Sequence, residues 1–378
     1  MFNMKYKNHI HSNQYSLRTL WLFLGMLGFV AVVIGQNPQH YNGRISVFLD
    51  TLQQQNFNGT ILVAHNDSVI QNRAYGFSNF EHAVSIKPET KFNLASITKM
   101  FTAVGILKLV DTGKLKLNDT VGMYLPQYAN DTIRNSCTIH HLLTHTSGLG
   151  NFYVDKAFTS FDKSKLNTTA DFLALFEQLP LQFFPGSKYA YGASGFVVLG
   201  LIIEAVTGLP YDEYMQEEVF QIAEMTNTKA FPIDKVVANK ADGYTSLFGD
   251  NEEFTHNTGY LSKASPGGFY YSTAKDLFEF SKHLRNNTFF SKEILNAMCT
   301  PHIQGYYTQL GYAVSVDTRF NQTIIGHSGG WYGVQTELMD FTKDHYTVII
   351  LSNVDTAESK GTVMVSQFFK NLIAGKPL

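Results

Sequence analysis

The sequence has only two cysteines, Cys137 and Cys299, among 378 residues. Two cysteines make no disulfide framework, and their spacing does not resemble a zinc site. They read as free or singly paired, and not catalytic. Charge is scarce as well: 16% of residues are charged and the formal net charge is −2. Without a basic field to attract phosphates, nucleic acid is not an expected partner. A long membrane-spanning run is missing, because the apolar stretch at residues 20–34 is only about 15 residues long, short for a bilayer. There is no internal repeat and no low-complexity segment. What is abundant is hydrophobic side chain, at 44% of residues. That is ample for a buried core and fits one large domain or two small ones.

The first 35 residues carry an export signature. Lys5, Lys7 and Arg18 give a positive start with no acidic residue before Gln36. The apolar run follows, and Val33-Ile34-Gly35 offers small residues for cleavage. The expectation is a signal peptide at residues 1–35 and an exported (periplasmic or secreted) domain at residues 36–378. The alternative is an anchor formed by an uncleaved N-terminal segment. No cysteine follows the run, so a lipid anchor is not expected. The oligomeric state is not readable from the sequence.

Behind the signal, residues 41–55 read as a helix. Residues 60–65 and 68–75 read as a strand pair turning at Asn66-Asp67. A mainly helical middle follows, with its clearest helices at 96–111, 169–178, 194–206 and 272–286. The last quarter turns to strands, at 309–316, 323–326, 334–341 and 346–352, and then to a helix at 362–374. The expected fold class is α/β (α+β): an antiparallel sheet flanked by N- and C-terminal helices, with a large, mainly helical insertion. The sheet lobe spans about 41–90 and 300–378, the helical lobe about 91–299. A cleft between them is the expected site.

The spacing Ser-x-x-Lys occurs at Ser96/Lys99, Ser160/Lys163 and Ser272/Lys275. Ser160 lies in a polar stretch that reads as a solvated loop. Ser272 precedes an amphipathic run and reads as a helix N-cap. At Ser96 an apolar-periodic stretch begins (Ile97, Phe101, Val104, Leu107), so a helix opens there and the two side chains share a face. A desolvated lysine can take the proton of a serine hydroxyl and make it a nucleophile. A plain N-cap is the competing reading of Ser96, and spacing alone does not separate the two.

Other constellations have competing readings of their own. Residues 185–195, a Gly- and Ser-rich turn before an apolar helix, carry Tyr191, whose hydroxyl could relay a proton if it lies near Lys99. Gly326-His327-Ser328-Gly329-Gly330 matches the Gly-x-Ser-x-Gly nucleophile elbow of α/β-hydrolases, making Ser328 a rival nucleophile. That fold requires an acid and then a histidine downstream. Only His345 follows, with Glu337, Asp340 and Asp344 crowded near it. His141 and His145 lie four apart on an expected helix, but no glutamate stands between them and no third ligand is evident. No metal and no cofactor is expected.

Taken in order, these segments resemble the serine β-lactamase-like superfamily, which includes class C β-lactamases, D-alanyl-D-alanine carboxypeptidases, D-aminopeptidases and related esterases. The resemblance rests on Gly59-Thr60-Ile61-Leu62-Val63-Ala64, Phe92 to Lys99, His141-Leu142-Leu143-Thr144-His145-Thr146-Ser147-Gly148-Leu149, Pro185 to Gly195, Ser265-Pro266-Gly267-Gly268, and Gly326 to Gly330. It implies a β-lactamase/transpeptidase-like fold and a serine hydrolase acting through an acyl-enzyme. Carried over, Ser96 is the nucleophile, Lys99 its base and Tyr191 the proton relay. His327, Ser328 and Gly329 stand where the family has Lys-Thr-Gly or His-x-Gly. The N–H groups of Ser96 and Gly330 form the oxyanion hole. Two departures stand out: Ala193 replaces the asparagine of Tyr-x-Asn, and His327 replaces a lysine. Both argue against an efficient β-lactamase and for an esterase or peptidase acting on a small ester, amide or peptide. A non-catalytic binding or sensing protein on the same fold is the alternative that Ala193 motivates.

Overall fold

The computed structural model describes residues 38–154, 156–232, 234–247, 253–355 and 360–375. The expected signal segment lies outside them. The chain divides into two units, Met1–Phe48 and Leu49–Leu378. Of the first unit, only the opening of helix α1 (Pro38–Thr51) is described. Among the described residues no single helix is long and apolar enough to cross a membrane.

The second unit is built on an eight-stranded antiparallel sheet closed from both ends of the chain. Its strands are β1 (Gly59–His65), β2 (Ser68–Tyr75), β3 (Ile303–Gln304), β4 (Gln309–Leu310), β5 (Ser315–Asp317), β6 (Ile324–Trp331), β7 (Val334–Phe341) and β8 (Tyr346–Ser352), in the order β2-β1-β8-β7-β6-β5-β4-β3. β1 therefore pairs with β8, across almost the whole sequence. β8 is buried along its length, and its Val348-Ile349-Ile350-Leu351 run suits a strand covered on both faces. β2 at the edge is partly exposed and carries Gln71, Asn72 and Arg73, polar side chains that discourage pairing with another chain. Asn66 turns the β1–β2 hairpin in the left-handed region, at φ 54°.

Successive residues of β7 face opposite sides of the sheet. On one side Met339 meets Ser366 and Glu337 meets Lys370, both on helix α5 (Lys360–Ile373). On the other, Asp340 meets helix α4 (Ala274–Arg285). The helical middle holds helices α2 (Thr98–Asp111) and α3 (Ser194–Thr207). α3 is buried from Ser194 to Ile203 and stops at Gly208, which takes the left-handed conformation at φ 74°. Phe101 of α2 packs edge-on against Phe220 and Phe280, with ring centroids 5.2 and 4.8 Å apart.

Several expected elements differ. Residues 169–178 form only a short 3₁₀ turn, Ala170–Leu175, because Asp171 folds back to accept from the Asn167 and Thr168 amides. Ser272 is not the N-cap of α4: its backbone pairs with Phe92 and its hydroxyl with Thr228, and Thr273 caps instead, accepting from the Asp276 amide. The expected strand at 309–316 is split by a tight turn, closed by Gly311 N–H to Val314 O at 2.9 Å, with Ala313 at φ 55°. β6 runs on through Gly326–Trp331, so the Gly-His-Ser-Gly-Gly motif lies within a strand. Cys137 and Cys299 are both free, Cys137 buried and Cys299 partly so.

Asp340 ties sheet to helix. It accepts from Arg285 at 2.7 Å, Thr347 at 2.7 Å and Ser281 at 2.5 Å. Asp340→Ala leaves the Arg285 cation without its buried partner, and urea unfolding should show a loss of about 3 kcal/mol. Asp50→Ala, which removes the exposed 3.9 Å pair with Arg73, should lose about 0.5 kcal/mol or less in the same measurement.

Candidate active site

Ser96 sits in a 3₁₀ turn, Ala95–Ile97, that runs directly into α2. Its hydroxyl caps neither element; instead the Lys99 amine donates to it at 3.0 Å. The turn is held under strain. Ala95 has φ 43°, uncommon for a residue with a Cβ. Its N–H donates to Asn93 Oδ1 at 2.8 Å, and its carbonyl accepts from Phe269 N–H at 3.2 Å. These bonds hold the turn in place beside Gly329 of β6.

Lys99 is 1% exposed. The Ser-Pro-Gly-Gly segment is laced along α2 above it. Lys99 Nζ donates to Gly267 O at 2.6 Å, Thr102 donates to Pro266 O at 2.7 Å, and Tyr270 N–H donates to Thr98 Oγ1 at 3.2 Å. Gly267 packs so tightly on Ala193 that a Cβ there would lie 2.8 Å from the alanine methyl. Burial lowers the Lys99 amine to about 7.

Tyr191 lies over the same amine, 4.9 Å from Nζ to the ring centre, and lines the cavity beside Ser96. Burial pushes its phenol up, so the hydroxyl keeps its proton. His145 holds this tyrosine. It lies past its helix, Ile139–Leu143, at φ 59°. Its Nδ1 accepts from Gly192 N–H at 3.3 Å, and its ring packs 4.4 Å from that of Tyr191. Burial and the nearby Lys99 and His327 depress its basicity well below the usual imidazole range. His141 instead closes the capping box of the helix, its Nδ1 accepting from Thr138 N–H at 3.2 Å. The two histidines of the sequence pattern therefore do not form a pair.

β6 supplies the opposite wall. Gly329 backs onto the serine turn: a Cβ on it would lie 2.2 Å from Leu94 O and 3.1 Å from Ser96 N. Only glycine lets the strand come this close. His327 Nδ1 donates to Ser328 O at 2.5 Å, and burial with Lys99 nearby lowers the ring to about 4. Ser328 lies mid-strand opposite Glu337, with no strand-to-helix elbow. Its would-be acids are committed elsewhere, Asp340 to Arg285, Glu337 to Lys370 and Asp344 to the Gln322 amide. Ser96, Tyr191, His327, Ser328 and Gly330 all line one cavity of about 440 Å³, with Lys99 buried beneath it. Tyr189, Tyr306 and Tyr307 also line it, and sequence reasoning had not singled them out.

The model of the Beta-lactamase family matches residues 45–364. The chain belongs to the beta-lactamase family. It is a serine hydrolase of that family's fold, as the sequence resemblance implied. It is 28% identical over 337 residues to Penicillin-binding protein 4* of Bacillus subtilis, covering 83% of this chain and 72% of the relative. A penicillin binding protein from Bacillus halodurans superimposes with a TM-score of 0.76 at 26% identity, covering 88% of this chain and 100% of the other. D-amino acid amidase from Ochrobactrum anthropi shares the fold at 21% identity and a TM-score of 0.74, covering 88% and 97%.

Gly329→Ala must push β6 off the serine turn. Ester turnover should fall by about 100-fold, as expected for a displacement near 1 Å, in a protein that still unfolds cooperatively. Gly330→Ala, whose Cβ meets nothing within 4 Å, should leave Tm unchanged.

Proposed function

We propose that the chain hydrolyses small esters or amides through an acyl-enzyme on Ser96. Neutral Lys99 takes the hydroxyl proton as Oγ bonds to the substrate carbonyl carbon. The N–H groups of Ser96 and Gly330 stabilise the oxyanion. Tyr191 gives its proton to the leaving oxygen or nitrogen as that bond breaks, and regains one from Lys99. Water then attacks the acyl ester along the reverse proton path. The observation that carries this reading is a buried lysine, 3.0 Å from the serine oxygen, with no carboxylate among its partners.

The substrate class follows from the two departures. Ala193 has no side-chain amide to engage an acylamido group, a loss of about 1–3 kcal/mol of recognition. His327 is neutral above about pH 4 and offers no fixed charge to a substrate carboxylate. Uncharged esters and amides fit this site better than β-lactams. Relatives named as penicillin-binding proteins and a D-amino acid amidase support D-amino-acid peptides as one amide class. We also propose that residues 1–35 direct export and that residues 36–378 form the hydrolase, its sheet and helical parts meeting at Ser96.

Intact-mass analysis after exposure to a fluorophosphonate should show one adduct, mapped to Ser96 and absent from Ser96→Ala. No adduct, or one on Ser328, would sink the mechanism. Because Lys99 acts as a neutral base, the acylation rate should rise about tenfold per pH unit up to about 7 and then level off. Stopped-flow acylation that is flat from pH 5 to 9 would exclude Lys99 as the titrating base.

A further inference from the structure

The cavity extends beyond Ser96 to the tip of the β3–β4 hairpin. Its turn, closed by Gly305 N–H to Thr308 O at 2.9 Å, presents Tyr306 and Tyr307. These two side chains are 69% and 87% exposed. Adjacent exposed tyrosines at a cleft mouth provide a large apolar surface not used by the fold. Tyr306 already meets one ring across the cleft, Tyr189, at 5.1 Å and 70°. The charged groups of the cavity are paired among themselves. Arg319 grips Asp317 through two bonds, at 2.9 and 2.8 Å, and Lys370 holds Glu337 at 3.0 Å. What the mouth offers a ligand is therefore aromatic and has no net charge.

The side of the scissile bond follows from Tyr189. It stands two residues before Tyr191, and both rings meet the ring of His145, at 6.2 and 4.4 Å. Tyr189 and Tyr191 thus share a side of the cleft. In the acyl-enzyme reading, on which this inference rests, Tyr191 delivers the proton to the leaving atom. We propose that Tyr189, Tyr306 and Tyr307 form a leaving-group subsite that selects substrates whose departing alcohol or amine carries an uncharged aromatic ring. The ring stacks between the hairpin tip and Tyr189 while the acyl carbon sits at Ser96. The chemistry is unchanged; only the bond to the departing oxygen or nitrogen is presented differently.

The test compares benzyl acetate with ethyl acetate, which give the same acyl-enzyme. The benzyl-to-ethyl ratio of kcat/KM is taken within each protein, so the folded fraction cancels. The wild-type ratio should exceed that of the Tyr306→Ala/Tyr307→Ala double variant by about tenfold or more. The Tyr306→Phe/Tyr307→Phe variant should keep it, because the ring and not the hydroxyl makes the contact. An unchanged ratio in the alanine variant would overturn the subsite, as would a change confined to ethyl benzoate against ethyl acetate, which moves the ring to the acyl side. A second measurement is independent of turnover: benzyl alcohol binding, by saturation-transfer NMR, to Ser96→Ala protein with and without the double alanine change. Binding that the double change abolishes supports the wall, and absence of binding overturns it. The adduct on Ser96 decides the acyl-enzyme reading separately.

Discussion

The site depends on keeping one amine dry. Lys99 has a carbonyl, a hydroxyl and aromatic faces around it, and no carboxylate bonded to it. Burial disfavours an ammonium, and nothing here restores it, so the amine falls to about 7. In the proposed mechanism an ion pair would hold the proton on and leave the serine inert. The Pro266–Tyr270 segment is the lid on this arrangement. Four of its residues bond to α2 or to the turn before it through Thr98, Lys99, Thr102 and Ala95. The fold thus contributes to basicity by excluding water and carboxylates, not by adding a charge.

The same burial extends to His145 fully and to His327 in part. Lys99 depresses both His145 and His327, and burial does so more strongly. Three nitrogen bases therefore share a pocket in which a proton on one opposes a proton on the others. Neutral His145 can accept the Gly192 N–H and pack on Tyr191, which a buried cation would disturb. Neutral His327 spends its proton on the adjacent carbonyl and leaves its other nitrogen as an acceptor. A lysine at 327 would have introduced a second cation near Lys99. The histidine and the low basicity of Lys99 are, in this sense, mutually compatible features.

Much of this was legible in the sequence, and the unread parts have physical reasons. Strands β7 and β8 were read with the bounds observed, because β7 alternates buried and partly buried residues before a buried end, β8 is buried throughout, and both stop at clear turns. Ser272 was misread because a serine before an amphipathic helix scores as a cap whether or not its backbone is needed by a strand. β6 was cut short because Gly-Gly reads as a turn, whereas here Gly329 is what permits close approach to Ser96. His145 carried a signal in its motif, but its contact with Tyr191 arises from chain folded across 46 residues. Tyr306 and Tyr307 carried none: two tyrosines in a loop acquire meaning only once the hairpin is seen at the cleft.

The recognition surface that remains is largely backbone and ring. Among the described residues β5 pairs with β6 only as far as Gly326, so no strand pairs with the outer edge of β6 from His327 onward, alongside the cavity, where Ser328 O accepts from the His327 ring. An open strand edge offers alternating N–H and C=O groups to any extended substrate, independent of its side chains. In the proposed reading, with Ala193 in place of an amide and His327 uncharged, side-chain polarity adds little selectivity at the acyl end. Discrimination then has to come from shape and apolar contact, and the tyrosines at the other end of the cavity are where the chain has concentrated both. A site that worked in the proposed way, reading backbone loosely and leaving group by aromatic contact, would accept many acyl groups. That breadth is what the proposal expects of a serine whose lysine partner is set by burial while its substrate contacts are not fixed by charge.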